Sequence, residues 1–345
     1  MRYLFFLCMF PWLLYCDKID TFYGALEVEE PVLLELIASP AFQRLKGIHQ
    51  YGVSYYTTHK EEYTRYDHSL GVFAILRLKG ASLEEQVAGL LHDVSHTVFS
   101  HVGDFVFARQ YQEEDYQNSI HERFLEASGL GNILRAYSLS PSDVLPEEEL
   151  FPALEQPKPN LCADRIDYNI QGAYYRGFIT QEEGRQILED LDFIEGHWVS
   201  KSFSPINKIA SFALFMTQDC WSSPTNHFAS HILADALLRA IEIHLISWQD
   251  VHFGVDDVIW NLLLNNQDQV LQRLMESLFQ VPSSFELVDP AVADRIIYGK
   301  FSGINPWILM DGKKVRLTEI EPSFAQEYER VQGVIKKGWS IRLSS

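Results

Sequence analysis

Positive charge is scarce in this sequence: 28 lysines and arginines stand against 47 aspartates and glutamates, a formal net charge of −19. No run of basic residues concentrates the few there are, so the chain repels polynucleotide backbones and strong nucleic-acid binding is not expected. Cysteine is scarce as well. Cys8, Cys16, Cys162 and Cys220 form no CxxC pair and no even framework. A zinc ribbon and a disulfide scaffold are thereby set aside, and the four read as small buried hydrophobes. Internal repeats and low-complexity segments are lacking too. What remains is a folded globular composition, 47% apolar and 13% aromatic over 345 residues. That length suits one large domain with an extension, or two domains.

Residues 1–16, MRYLFFLCMFPWLLYC, make the most apolar stretch. Arg2 followed by apolar residues up to Asp17 is the layout of a secretory signal, and it is too short for a comfortable membrane span. Cys16 after Leu-Leu-Tyr resembles a lipoprotein processing site, except that Tyr15 stands where a small residue belongs. The expectation is export or a membrane tether through residues 1–16. The alternative is an apolar element packed on the domain, in a cytoplasmic protein.

Most of the rest reads as helix. A helix is expected over 38–52, after Ser39-Pro40, and another over YDHSLGVFAILRLKG, stopped by Gly80. Ser82 with Glu85 three residues later is a capping box opening a third, which carries its apolar periodicity into LLHDVSH. Further helical patterns cover 113–128, 161–175, 181–191 and 226–249, and the Pro- and acid-rich 140–160 reads as a surface excursion. Near the end, Asp311-Gly312 between two short apolar runs signals a hairpin, and GWSIRL a further strand.

The stretch LLHDVSHTVFSH, residues 90–101, sets His92, Asp93, His96 and His101 among apolar neighbours. Burying three imidazoles beside a carboxylate is costly unless something gathers them: a metal, a proton-transfer site or a hydrogen-bond cluster. On a continued helix, His92 and His96 share one face. His68 lies upstream at the start of its own helix, and Asp164 and Asp167 lie downstream on another. Imidazole and carboxylate together suit Mn, Fe, Zn or Ni, and also Mg when phosphate adds ligands.

The ordered set His68, His92-Asp93, Asp164 resembles the signature of HD-domain metal-dependent phosphohydrolases, and more narrowly the branch that hydrolyses deoxynucleoside triphosphates. The resemblance runs from IDTFYGALEVEEPVLLELIASPAFQRLKGIHQYG through TRYDHSLGV, AGLLHDVSHTVFSH and IHERFL to ADRIDY, and faintly to about residue 245. It implies a mainly α fold, with an HD helical core over 17–250 and a small mixed α/β extension over 251–345 containing the hairpin. It implies His68, His92, Asp93 and Asp164 as ligands of one divalent cation. His121 and Glu122 match a catalytic pair, the histidine as general acid on the leaving oxygen and the glutamate orienting its ring. His96 and His101 match histidines lining the phosphate pocket. Gln50, Arg65 and Tyr168 match residues contacting base or sugar, phosphate, and sugar, and Arg165 stands where a phosphate-facing lysine would lie.

Departures bear on the substrate. Ser95 replaces a small residue after the HD pair, Gly172 stands where the family carries a sugar-contacting aspartate, and Gln218 and Asn226 occupy positions of a triphosphate-gripping arginine and tyrosine. The expected activity is hydrolysis of (deoxy)nucleoside triphosphates to nucleoside and triphosphate. The alternatives are a nucleoside monophosphate or other small phosphate ester as substrate, or a non-catalytic nucleotide-sensing scaffold. The partner implied is a small phosphorylated molecule, and relatives of this kind lead us to expect a homo-oligomer.

Overall fold

The structure is a computed structural model and describes residues 17–58, 60–111 and 116–343. Residues 1–16, with Cys8, Cys16 and the apolar leader, lie outside that range. The architecture is mainly helical, with small sheets at the periphery. Its centre is the helix Arg65–Leu78, started by a reciprocal capping box between Thr64 and Asp67 and buried from His68 to Leu76. Gly80, at φ 75°, reverses the chain. The helix Leu83–Leu91 then packs back on it, with the Ser82 hydroxyl accepting the Glu85 N–H. The expected capping box is half formed. Glu85 turns its carboxylate to the backbone N–H groups of Ala153 and Leu154 instead.

The helix Ala163–Tyr175 covers the other side of this centre. It comes very close at Gly71, where a Cβ would stand 1.9 Å from Asp167 Oδ1 and 2.4 Å from Gln171 Nε2. Only a residue without a side chain permits that approach. The buried core is continuous and includes Phe42, Phe73, Ile75, Leu90, Ile166, Ile170 and Phe212.

Three expectations are modified. Residues 38–52 do not form one helix but a turn at Pro40–Gln43, a 3₁₀ turn at Arg44–Gly47 and a bridge at His49, with Gly52 at φ 50° before the short helix Val53–Thr57. The helix Leu83–Leu91 ends before His92, so His92 and His96 do not share a helical face. The 140–160 excursion buries Val144, Phe151, Ala153 and Leu154, and Trp198 Nε1 donates to the Ala153 carbonyl across 2.8 Å.

Past residue 250 the chain returns repeatedly to the helical core. The hairpin Trp307–Met310 and Lys313–Arg316 turns at Asp311-Gly312, both at positive φ, and pairs in parallel with His197–Ser200. The strand Trp339–Leu343 joins Phe285–Leu287 and Arg295–Ile297. The helix Pro322–Lys337 lies on Phe203–Met216. Cys162 and Cys220 are buried free thiols. Among the described residues no helix is long and apolar enough to cross a membrane.

Candidate metal centre

Where the Leu83–Leu91 helix ends, residues 92–101 continue as a chain of turns whose carbonyls are held from elsewhere in the sequence. Arg44 Nη2 donates to the carbonyls of Val94 and His96 at 2.9 and 2.7 Å. Phe99 and Ser100 adopt left-handed backbone, φ 59° and 55°. The Phe99 N–H donates to the buried Asp256 carboxylate at 2.6 Å, and the same carboxylate accepts the His49 N–H. A non-glycine pair in this conformation persists only when its surroundings fix it, and here they do.

This loop carries His92 and Asp93 to the start of the Arg65–Leu78 helix and the start of the Ala163–Tyr175 helix. His68 Nε2 lies 3.1 Å from His92 Nε2 and 3.0 Å from Asp164 Oδ1. All three ligand atoms fall within 4.8 Å of one another. Asp93 places a carboxylate oxygen 3.6 Å from each imidazole. It is also committed to Arg65 Nη1 at 2.5 Å and His96 Nε2 at 3.2 Å.

The tautomers decide what this cluster is for. His92 Nδ1 must donate to the Gly89 carbonyl at 2.8 Å, and His68 Nδ1 to the Asp167 carboxylate at 2.7 Å, because neither partner has a proton to give. Both Nε2 lone pairs therefore face each other beside two carboxylates. Two imidazole lone pairs and the Asp164 carboxylate converging with no donor between them, and the Asp93 carboxylate alongside, are the address of a cation. Burial pulls the His68 imidazole down, but its hydrogen bonds to Asp164 and Asp167 outweigh it and lift the ring to about 10. Burial likewise opposes ionisation of Asp164, yet His68 and His92 hold it well below the usual carboxylate range. The site draws positive charge, a proton or a metal ion alike. Asp167 is itself fixed by Tyr23 at 2.9 Å and Gln171 at 3.0 Å, so the orientation of His68 is set through three elements.

A second cluster of donors, Glu155, Cys162 and Asp164, also falls within 4.8 Å. There the Arg165 guanidinium already sits 2.8 Å from Glu155 Oε1. A bound guanidinium is a poor neighbour for a further cation.

The remaining sequence-predicted residues divide. His121 reaches the site from the Tyr116–Ala127 helix, buried, with Nδ1 2.8 Å from Ser95 Oγ and Nε2 without a partner among the described residues. Burial, then the neighbouring His92, push its ring down to about 4. Glu122 is exposed, and the atom that orients His121 is the Ser95 hydroxyl. Gln117 braces that contact, donating to Ser95 Oγ and to the His92 carbonyl. Nothing in the sequence pattern assigns Ser95 or Gln117 this role; the position of Gln117 one helical turn before His121 is the one signal that points to it.

His96 is buried against Asp93, and burial followed by Arg65 lowers it to about 3. His101 is exposed and paired with Asp104 at 3.1 Å, its ring edge-on to His96 at 5.0 Å. Arg65 donates Nε to Ser100 Oγ besides holding Asp93. Arg165 donates to the Asn160 carbonyl as well as to Glu155. The ring of Tyr168 is 6.3 Å from His68 and edge-on to Trp221 at 5.4 Å. Gln50 keeps a buried amide oxygen without a partner among the described residues. Gln218 and Asn226 are engaged internally, the first accepting from Arg330 and the second from Ser54.

A family model described as "HD domain" matches residues 65–167. The chain is 33% identical over 324 residues to the uncharacterized protein YdhJ of Bacillus subtilis (strain 168), covering 94% of this chain and 98% of that one. It is 36% identical over 214 residues to metal-dependent phosphohydrolase cns2 of Cordyceps militaris, covering 60% of this chain and 61% of the fungal protein. Over 158 residues it is 31% identical to deoxynucleoside triphosphate triphosphohydrolase SAMHD1 of Bos taurus, covering 40% and 26%. A crystal structure of a phosphohydrolase from Bacteroides thetaiotaomicron shares the fold, with a TM-score of 0.63 at 19% identity, covering 95% of this chain and all of that one.

Proposed function

Because the chain belongs to the HD-domain metal-dependent phosphohydrolases, we propose that it hydrolyses (deoxy)nucleoside triphosphates to nucleoside and triphosphate. The observation that carries this reading is the facing Nε2 pair of His68 and His92 beside Asp93 and Asp164, with the unpartnered Nε2 of His121 buried nearby. A divalent cation held there would polarise a phosphoryl oxygen and lower the pKa of water.

The chain's own residues supply the rest of the reading. Neutral His121, steadied by Ser95, presents Nε2 to the phosphate. The charge of a bound phosphate draws the ring's pKa upward, which suits it to give a proton to the leaving oxygen. Arg65 acts through Asp93, keeping that carboxylate ionised and oriented, and His96 holds its other oxygen. Gln50 offers its free amide oxygen to base or sugar, and Tyr168 offers its ring face. His101 and Arg165 line the phosphate side. Similarity to the bovine triphosphohydrolase over 40% of the chain supports the nucleotide assignment.

A nucleoside monophosphate or another small phosphate ester is the second reading. It is favoured by the internal bonding of Gln218 and Asn226 and by Gly172, where a Cβ would already meet Phe212 and the Tyr51 hydroxyl at 3.1 Å. Metal-loaded protein incubated with a nucleotide panel, with products identified by mass, separates the two. Inorganic triphosphate as product supports the first reading, and orthophosphate from monophosphates alone replaces it with the second. His92→Ala with Asp93→Ala abolishes release of either. We carry two further expectations here: self-association, tested by light scattering, and tethering or export through residues 1–16, tested by N-terminal sequencing of native material.

A further inference from the structure

The acidic chain sets two lysines beside its candidate metal centre. Lys158 lies six residues before Asp164, in a loop fixed from both sides. Arg165 Nη1 donates to the Asn160 carbonyl at 2.9 Å. From the C-terminal part, Arg316 Nη2 donates to Asn160 Oδ1 at 2.7 Å and the Asn305 N–H to the Pro159 carbonyl at 3.0 Å. The Lys158 ammonium itself rests on Ser302 Oγ at 3.0 Å. Two residues earlier, the Lys300 carbonyl accepts the Ser222 hydroxyl at 2.7 Å. Ser222 follows Trp221, whose ring meets Tyr168, and Tyr168 stands beside His68.

Contacts thus run from His68 through Tyr168 to Trp221, from the adjoining Ser222 to the Lys300 carbonyl, and from Ser302 to Lys158 in the loop that leads to Asp164. Both lysines are exposed. Partial loss of water around the ammonium and the Arg165 guanidinium lower Lys158 from its ordinary value, Asp164 opposes them, and Lys300 adds to the repulsion. In a chain of net charge −19, neighbouring cations are favoured when an anion bridges them.

We propose that Lys158 and Lys300 anchor the outer phosphates of a polyphosphate chain whose inner phosphate sits at the His68–His92–Asp164 cluster. The anchor rests on the triphosphate reading above and deepens it. It stands in for the cationic grip that Gln218 and Asn226 do not provide, and one of its two members, Lys300, comes from the segment after residue 250.

The test uses the full chain loaded with Mn²⁺ and inorganic ligands alone, titrated calorimetrically with tripolyphosphate and with orthophosphate. In Lys158→Ala/Lys300→Ala, tripolyphosphate affinity falls about tenfold or more, the worth of lost charge-assisted contacts, while orthophosphate affinity and the melting temperature hold. Lys158→Arg/Lys300→Arg retains tripolyphosphate binding. Unchanged tripolyphosphate affinity in the alanine pair overturns the proposal, and so does an equal loss for orthophosphate. Should the alanine pair fold poorly, Lys158→Gln alone is read by the same two ligands. Tripolyphosphate held through these lysines by a protein that cleaves no nucleoside triphosphate removes the proposed substrate and leaves the anchor. Triphosphate turnover with unimpaired KM in the alanine pair does the reverse.

Discussion

His121 and its neighbour give opposite expectations on adjacent positions. The His121 ring is buried with one nitrogen on Ser95 and the other without a partner among the described residues, whereas Glu122 is exposed. His121→Ala should lower kcat by about 10²–10⁴-fold, the usual worth of a proton-handling side chain, with Mn²⁺ content unchanged. Glu122→Ala should leave kcat near wild type; steady-state kinetics on the two variants is the check. Ser95→Ala should fall between them, because the ring loses its brace but not its nitrogen. Asp167 acts one shell out: with Asn there, the proton on His68 Nδ1 is no longer dictated, and metal affinity should drop by about 10–100-fold, read by competition with a chelating dye. His68, His92, Asp93 and Asp164 stand out by residue type, order and spacing, whereas His121 enters only through the resemblance to the HD-domain phosphohydrolases. Ser95, Gln117 and the tautomer-setting contacts of Gly89 and Asp167 depend on which atoms meet, and spacing alone does not carry that.

Between elements, the approach of Arg65–Leu78 to Ala163–Tyr175 hinges on Gly71. Gly71→Ala places a methyl where Asp167 Oδ1 lies, so the helices must part or Asp167 must turn away. The expected cost is about 1–3 kcal/mol of stability, with loss of bound metal as well, measured by denaturant melts and metal analysis on the same sample. Another element contact titrates. Asp268 caps the helix Gln269–Gln280 through the N–H groups of Val270 and Leu271 and pairs with Arg239 of Pro224–Glu242. Its hydrogen bonds from Arg239 first, then from the cap, bring its carboxyl down to about 2. A depressed carboxylate stabilises the fold above its unfolded value near 4 and loses that contribution as pH falls through about 2. Asp268→Asn should therefore flatten the acid limb of a thermal-melt series between pH 4 and 2; an unaltered limb contradicts the assignment. The helix start at Ser82, the helix stop at Gly80 and the hairpin turn at Asp311-Gly312 were readable because their causes are local. Residues 38–52 and 92–101 were not, since Arg44 and Asp256 hold those turns from far along the chain.

Across the whole molecule, a candidate metal centre is assembled from three separated segments and buttressed by the chain beyond residue 250. The Val98 N–H meets the Val251 carbonyl, Asp256 holds Phe99, and the 299–305 stretch backs the loop before Asp164. Metal that binds only the folded state must raise its stability, by about 2.7 kcal/mol at a hundred times Kd, so the melting temperature should climb with Mn²⁺ and return to its starting point with chelator. No such coupling is expected in His92→Ala with Asp93→Ala. The sharpest single measurement is anomalous diffraction from crystals grown with Mn²⁺. One peak about 2.1 Å from His68 Nε2, His92 Nε2 and Asp164 Oδ1, with Asp93 turned toward it, is the expected result. A peak confined to Glu155 and Cys162, or none with His68 and His92 still in contact, contradicts the account.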